Sequence, residues 1–262
     1  MKRACAVQQG IQRRGVSLCL YPVVRYGLAI LVFVANADVV GASEYDKLRA
    51  VMVENIEQDV RFTQGALGKD TLDGRVVAAI GSVPRHEFVP ESQRPDAYVN
   101  RPLPIGFGQT ISQPYIVAIM TDLLQPEPDD VVFELGTGSG YQAAVLASLV
   151  REVYSVEIIE DLGIRARSTL KRLGFENVEV RIGDGYNGWS EHAPFDGIVV
   201  TAAGDHIPPP LIMQLKRGGR MVIPVGSRFF TQQLMVIEKD EDGTVRSRGM
   251  LPVRFVPLTG GH

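Results

Sequence analysis

Cysteine is nearly absent from this 262-residue chain, with Cys5 and Cys19 its only two. From residue 43 onward there is no thiolate nucleophile, no disulfide and no cysteine metal site, which excludes thiol redox chemistry. Histidine is almost as scarce. His86, His192, His206 and His262 do not fall at metal-ligand spacing, so each is expected to be solvated or to serve locally, and no metal is expected. The serine-hydrolase elbow is missing too, because Gly138-Ser139-Gly140 lacks the glycine two residues before the serine. Positive charge is short: residues 43–262 carry 22 basic against 29 acidic residues, net -7. A body that acidic lacks the footprint phosphate binding needs, so nucleic acid is not an expected partner, whereas proteins or small molecules are. Long apolar runs are lacking as well. Gly27 to Ala35 covers nine residues, against about 20 needed to cross a bilayer, so no stable membrane insertion is expected.

That run lies in a segment of different composition. Residues 1–42 hold Lys2, Arg3, Arg13, Arg14 and Arg25 against Asp38 alone, and the apolar stretch leads into Ala35-Asn36-Ala37, with Val40-Gly41-Ala42 as a second small-residue site. A basic region, a short apolar core and an A-x-A pattern read as a signal or anchor, which would export the protein to the periplasm or tether it. A disordered extension, or a start nearer Met52, stays open.

At 45% hydrophobic content the 262-residue chain is large enough to bury a full core, and residues 43–262 read as one domain. Leu48, Met52, Ile56 and Val60 recur every fourth residue, which predicts an amphipathic helix, and a second short helix fits Leu72 to Ile80. Prolines at 84, 90, 102 and 104 then keep the chain irregular. Residues 44–125 form a helical cap and a Gly/Ser/Thr loop, with a helix from Tyr115 to Leu124. Beyond residue 130 short apolar strands alternate with helices: strands Val131–Leu135, Val153–Glu157, Val178–Ile182, Asp196–Thr201 and Met221–Val225, and helices Tyr141–Leu149, Asp161–Leu173 and Pro209–Leu215 closed by Gly218-Gly219. Alternation of this kind predicts βαβ crossovers. The expected fold is therefore α/β: a Rossmann-like, mostly parallel sheet with helices on both faces. A hairpin from Leu234 through Asp242-Gly243 to Leu258 adds antiparallel strands at its edge.

The strongest chemical signal is Glu134-Leu135-Gly136-Thr137-Gly138-Ser139-Gly140-Tyr141, where the first strand of that series meets its helix. Gly136, Gly138 and Gly140 let backbone approach a ligand at the carboxyl ends of the strands. The dinucleotide fingerprint G-x-G-x-x-G is not met, since Tyr141 or Ala143 stands where its third glycine belongs. The pattern is instead E/D-x-G-x-G-x-G, a nucleoside loop that requires no pyrophosphate. Glu157 ends the next strand, where a carboxylate can accept both ribose hydroxyls, and Asp184 in Gly183-Asp184-Gly185 ends the one after, where it can receive the adenine amino group. Three such features at successive strand ends describe an adenosine site. A nicotinamide-dependent oxidoreductase on the same fold, or an exported and catalytically silent binding module, remain as alternatives.

The chain also carries Val83-Pro84-Arg85 with Phe88-Val89-Pro90, Gly108-Gln109-Thr110-Ile111-Ser112-Gln113-Pro114, Val199-Val200-Thr201-Ala202-Ala203, Pro224-Val225-Gly226 and Arg254-Phe255-Val256-Pro257-Leu258. With the Gly136 loop and Gly183-Asp184-Gly185, these resemble the protein-L-isoaspartate O-methyltransferases from about Arg49 to Leu258. The resemblance implies S-adenosylmethionine as methyl donor, with Glu134, Gly136, Thr137, Gly138, Gly140, Glu157, Gly183, Asp184 and Ile111 around it. It implies isoaspartyl residues of damaged proteins as acceptors, and Ser112 as the active-site serine. Thr110 and Thr201 are expected to help position the substrate. The family's methyl ester product is displaced by the neighbouring backbone nitrogen, and the resulting succinimide hydrolyses partly to normal aspartate. An acceptor that is already an ionised carboxylate needs no general base at pH 7, so Ser112 is expected to position it by hydrogen bonding. Read without the resemblance, Ser112 is better explained as a helix N-cap. The implied donor is made in the cytosol, which favours a cytoplasmic enzyme over an exported one.

Overall fold

The computed structural model describes residues 43–227 and 229–260. The signal-like reading of residues 1–42 lies outside them. In chain order the elements are α1 (Glu44–Phe62), α2 (Gln64–Leu67), α3 (Gly74–Ser82), β1 (Leu103–Gly106), β2 (Gln109–Ile111), α4 (Pro114–Leu124), β3 (Val131–Leu135), α5 (Tyr141–Ala147), β4 (Glu152–Glu157), α6 (Glu160–Arg172), β5 (Val178–Ile182), β6 (Phe195–Val200), α7 (Pro209–Gln214), β7 (Leu215–Val225), β8 (Gln232–Lys239) and β9 (Val245–Val253). Short 3-10 turns at Arg85–Phe88, Glu91–Asp96, Gly185–Asn187 and Ser190–His192 complete it.

Seven strands make one sheet in the order β5-β4-β3-β6-β7-β8-β9. β3 to β7 run parallel, and β8 and β9 add antiparallel at the edge. The chain starts in the middle at β3, winds outward through β4 and β5, then returns to β6 on the other side. That reversal opens a crevice at the carboxyl ends of β3 and β6, the place where open α/β sheets take their ligands.

Period-2 alternation sends the strand side chains into two cores. Val132, Val153, Val180, Val199 and Val222 face α4 and α5, together with Met52, Ile56 and Val60 of α1 and Val76 and Ile80 of α3. The N-terminal helices thus complete one layer of the same core. Leu48, counted on the apolar face from sequence, is exposed. Phe133, Leu135, Ile198, Val200, Met221 and Ile223 face the other way, against Trp189, Leu211 and Leu215. Local signals explain the ends. Ser43 and Asp46 form a capping box on α1. Pro114 starts α4, where a missing N–H costs nothing. Glu160 and Asp161 open α6, and Lys171 and Arg172 close it, in the sense the helix dipole favours.

Two segments differ from the sequence expectation. The loop before α4 contains an antiparallel hairpin, β1 with β2, turned by Gly106-Phe107-Gly108 with positive φ at all three. The run expected to close the α7 helix, Leu215 to Arg220, is already strand, because Leu215 and Arg220 pair with Phe195 and Gly197 of β6 across an irregularity.

Candidate active site

The turn after β3 is built on close approach. Gly136 has φ 99°, and a Cβ there would lie 2.4 Å from Thr201 Oγ1. Thr201, just beyond β6, donates its hydroxyl to the main-chain oxygens of Gly136 at 2.6 Å and Leu135 at 3.1 Å, so it staples the ends of the two central strands together. Gly138 (φ 54°) gives its N–H to Glu157 Oε2 at 2.7 Å, while Glu157 Oε1 accepts from Ile159 N at 2.9 Å. Glu157 therefore stands fixed at the end of β4, with lone pairs left for a ligand. Gly140 faces backward: a Cβ there would press on Leu170 at 3.2 Å.

Gly136, Gly138, Glu157 and Thr201 line a cavity of about 780 Å³ that opens to solvent. Among its walls are Ile111, Gly136, Thr137, Gly138, Glu157, Gly185 and Leu258. A second cavity of about 880 Å³ is lined by neutral polar and apolar groups such as Gln113, Ile116, Thr231 and Phe255, with Arg254 as the one charged residue among the described lining residues. Thr110, Ser112, Thr201 and Val256 border both. The three residues expected to handle the acceptor thus stand together at the junction.

Ser112 does not cap α4. The N-cap is Gln113, without a side-chain bond, and the main-chain oxygen of Ser112 accepts from Arg85 Nη2 at 2.7 Å. Four residues of the expected donor set stand behind the cavity wall. Gly140 packs on α6. Glu134 shares the α4 side of the sheet with Val132 and is fully buried, taking a hydrogen bond from Ser155 Oγ, which in turn meets Thr137 Oγ1. Burial, opposed by the Ser155 bond and reinforced by the charge of Glu157, pushes its pKa up to about 8, so the acid is neutral at pH 7 and braces the loop from below. Asp184 accepts from Tyr186 N at 3.0 Å and caps the turn Gly185–Asn187. Gly183 N bonds Glu157 O, and it is the neighbouring Gly185, set against Leu135, that reaches the cavity.

Sequence reasoning missed part of the wall. The run Arg254 to Leu258, expected as hairpin strand, leaves the sheet after Val253 and crosses to the end of β6, where Ala203 N bonds Val256 O at 2.8 Å and Leu258 N bonds Ala203 O at 2.7 Å. Pro257, which has no N–H for a ladder, was the available signal. The β1–β2 hairpin was missed as well. Arg165 of α6 donates to Ile105 O at 3.3 Å and sits 5.3 Å from the Phe107 ring centre, holding the hairpin against the site. The described histidines serve locally: His86 bonds Tyr98 at 2.7 Å, His192 stacks on Tyr154 at 3.8 Å, and His206 bonds Tyr186 at 2.9 Å. Among the described residues no group of three or more His, Cys, Asp and Glu could hold a metal ion.

Comparison with known proteins gives the chemistry a family. A profile of the Protein-L-isoaspartate(D-aspartate) O-methyltransferase family matches residues 66–262. Protein-L-isoaspartate O-methyltransferase 2 of Syntrophobacter fumaroxidans is 63% identical over 235 residues, 89% of this chain and 95% of that protein. Its namesake from Polaromonas sp. is 66% identical over 80% of this chain and 99% of its own length. A solved protein-L-isoaspartate O-methyltransferase, 28% identical, superposes with a TM-score of 0.69 over 82% of this chain and 66% of its own. A chain from Plasmodium falciparum, solved in complex with S-adenosyl-L-homocysteine, shares the fold at 23% identity, with a TM-score of 0.66 over 83% of this chain and 99% of its own. The chain belongs to the protein-L-isoaspartate(D-aspartate) O-methyltransferase family.

Proposed function

We propose that the two cavities divide one reaction between them: the Gly136 cavity takes S-adenosylmethionine, the Arg254 cavity takes the damaged peptide, and Ser112 stands where they meet. The chain is an S-adenosylmethionine-dependent protein-L-isoaspartate (D-aspartate) O-methyltransferase, a repair enzyme for the free α-carboxylate of isoaspartyl residues. Family membership sets aside the nicotinamide-dependent alternative and leaves the silent binding module without support. The observation that carries the division is the shared border, Thr110, Ser112, Thr201 and Val256.

The first cavity fits the donor. Gly136 and Gly138 bring bare backbone to it, and Glu157 offers a positioned carboxylate to a ribose diol. In this reading Glu157 holds the ribose, Gly136, Thr137 and Gly138 take the amino-acid end, and Ile111 and Gly185 wall the base, with Asp184 at the adenine edge. Glu134, Gly140 and Gly183 act by shaping the loop. When bound, S-adenosylmethionine supplies a sulfonium methyl group that a carboxylate oxygen accepts without a base. The protein's own part is alignment and exclusion of water. Ser112 donates its hydroxyl to one oxygen of the acceptor, Thr110 flanks it, and Thr201, whose proton is engaged with the glycine loop, keeps the two cavities in register.

Residues 43–262 act here as one methyltransferase domain, with residues 44–125 as cap and substrate loop and 130–262 as cofactor core and C-terminal strands. The acidic body supports protein rather than nucleic acid as partner, and the cytosolic origin of the donor supports work in the cytoplasm; mass spectrometry of the native N-terminus tests the latter, a start at Asp38 or Ser43 counting against it. Ser112→Ala tests the site: kcat for an isoaspartyl peptide falls about 10–100-fold, in keeping with loss of one charge-assisted bond, while affinity for S-adenosylhomocysteine stays. Unchanged kcat contradicts the assignment.

A further inference from the structure

Arg85 has no part in the reaction as described, yet its setting is unusual. It is fully buried. Its Nε donates to Ala97 O at 2.8 Å and its Nη2 to Ser112 O at 2.7 Å, so one rigid fork ties the segment before β1 to the serine at the cavity junction. The guanidinium carbon lies 4.8 Å from the ring centre of Tyr141, the first residue of α5 and part of the first cavity's wall. Arg85 Nη1 and the Tyr141 hydroxyl are both buried and interact with each other, but among the described residues neither reaches full hydrogen-bond geometry with any partner. Burial pulls the guanidinium pKa down to about 10, which leaves it charged at pH 7.

Among the described residues no carboxylate forms an ion pair with this cation; its polar side-chain neighbours are the neutral hydroxyls of Tyr141, which also acts on it as a hydrogen-bond partner, and Tyr98. Burying an unpaired charge is costly. Tying two loops together needs only donors, which a neutral side chain supplies without that cost. The charge gains an anionic partner only when an anion enters, and the anion this reaction brings to Ser112 is the α-carboxylate of the acceptor.

We propose that Arg85 is a positioning residue for the acceptor, its fork fixing the Ser112 segment while its uncompensated charge favours a carboxylate over a neutral group at the junction. The inference rests on assigning the second cavity to isoaspartyl peptides. It separates two properties of one side chain, charge and fork geometry, which different substitutions remove.

The test compares two peptides that differ only at the isoaspartyl α-position, free carboxylate against primary amide, binding to the enzyme saturated with S-adenosylhomocysteine. In the wild type the carboxylate binds about tenfold tighter or more, as expected for a charge acting across a low-dielectric site. Arg85→Met shrinks that ratio to about threefold or less, and Arg85→Gln, which keeps a buried donor, is the second neutral variant should the first not fold. Arg85→Lys retains the ratio but lowers kcat about tenfold, because one ammonium cannot span both carbonyls as the fork does. Equal binding of the two peptides by the wild type, or the same ratio in the neutral variants as in the wild type, overturns the proposal. If the wild type binds neither peptide, the substrate assignment fails and the proposal with it, an outcome recognisable because both peptides fail together.

Discussion

Gly136→Ala should damage the protein by a route that passes through Thr201. At φ 99° an alanine is strained, at a cost of about 1–2 kcal/mol for a left-handed conformation. Its Cβ would also lie 2.4 Å from Thr201 Oγ1, inside any tolerable contact. Thr201 must then rotate away and give up its bonds to Gly136 O and Leu135 O, a further loss of about 0.5–1.5 kcal/mol. The sum, about 1.5–3.5 kcal/mol, corresponds to a melting point lower by roughly 3–14 °C in a chain of this size. Thr201→Ala alone costs about 1 kcal/mol. In the double variant the clash is gone and only strain plus the missing hydroxyl remain, so the hydroxyl's loss is counted once rather than twice and the two substitutions should couple by about 0.5–1.5 kcal/mol in the relieving direction. Urea unfolding of the wild type, both single variants and the double variant measures this. Additivity within about 0.5 kcal/mol would refute the stapling of β3 to β6 by that hydroxyl.

Three other outcomes follow from the same geometry. Glu134 has its pKa raised from 4.5 to about 8, so the stability it confers is complete below the unfolded value and is lost as pH rises through the folded one. Wild type should lose about 3–5 kcal/mol relative to Glu134→Gln between pH 4.5 and 8, and parallel unfolding curves at both pH values would count against a buried, neutral acid. Glu157→Gln should weaken S-adenosylhomocysteine about 10–100-fold by calorimetry, the worth of charge-assisted bonds to a diol, with the peptide KM unchanged; undiminished affinity would place the ribose elsewhere. Arg165→Ala removes the tie to Ile105 and Phe107, so amide exchange across residues 103–111 should quicken while the melting point moves by less than about 2 °C; unaltered exchange would mean that the hairpin holds itself.

Legibility in the sequence followed how local each cause is. β3 matches the expected Val131–Leu135 because a short apolar run buried on both faces reads as strand, and β5 matches Val178–Ile182 because Val178, Val180 and Ile182 alternate with Glu179 and Arg181. β1 and β2, four and three residues long, are too short to show alternation, and they exist because they pair with each other. The first half of β7, with Arg217-Gly218-Gly219, has no strand composition; pairing with β6 at Leu215 and Arg220 makes it one. At the site, the glycine loop, Glu157 and the Thr110-Ile111-Ser112 segment could be found because each sits at a strand end or in a recognisable run. Glu134 belongs to the same motif, yet strand alternation sends its side chain to the α4 side, beneath the loop. Arg85 could not be read at all, since nothing in a proline-flanked stretch distinguishes a buried guanidinium from a solvated one.

The central claim is that the donor in the Gly136 cavity and a stray α-carboxylate at Ser112 meet in one reaction. Transfer of a labelled methyl group from S-adenosylmethionine to two peptides of one sequence, one isoaspartyl and one aspartyl, tests it most directly. Label should enter the isoaspartyl peptide as a base-labile ester and leave the aspartyl peptide near background; equal labelling of the two would contradict the account.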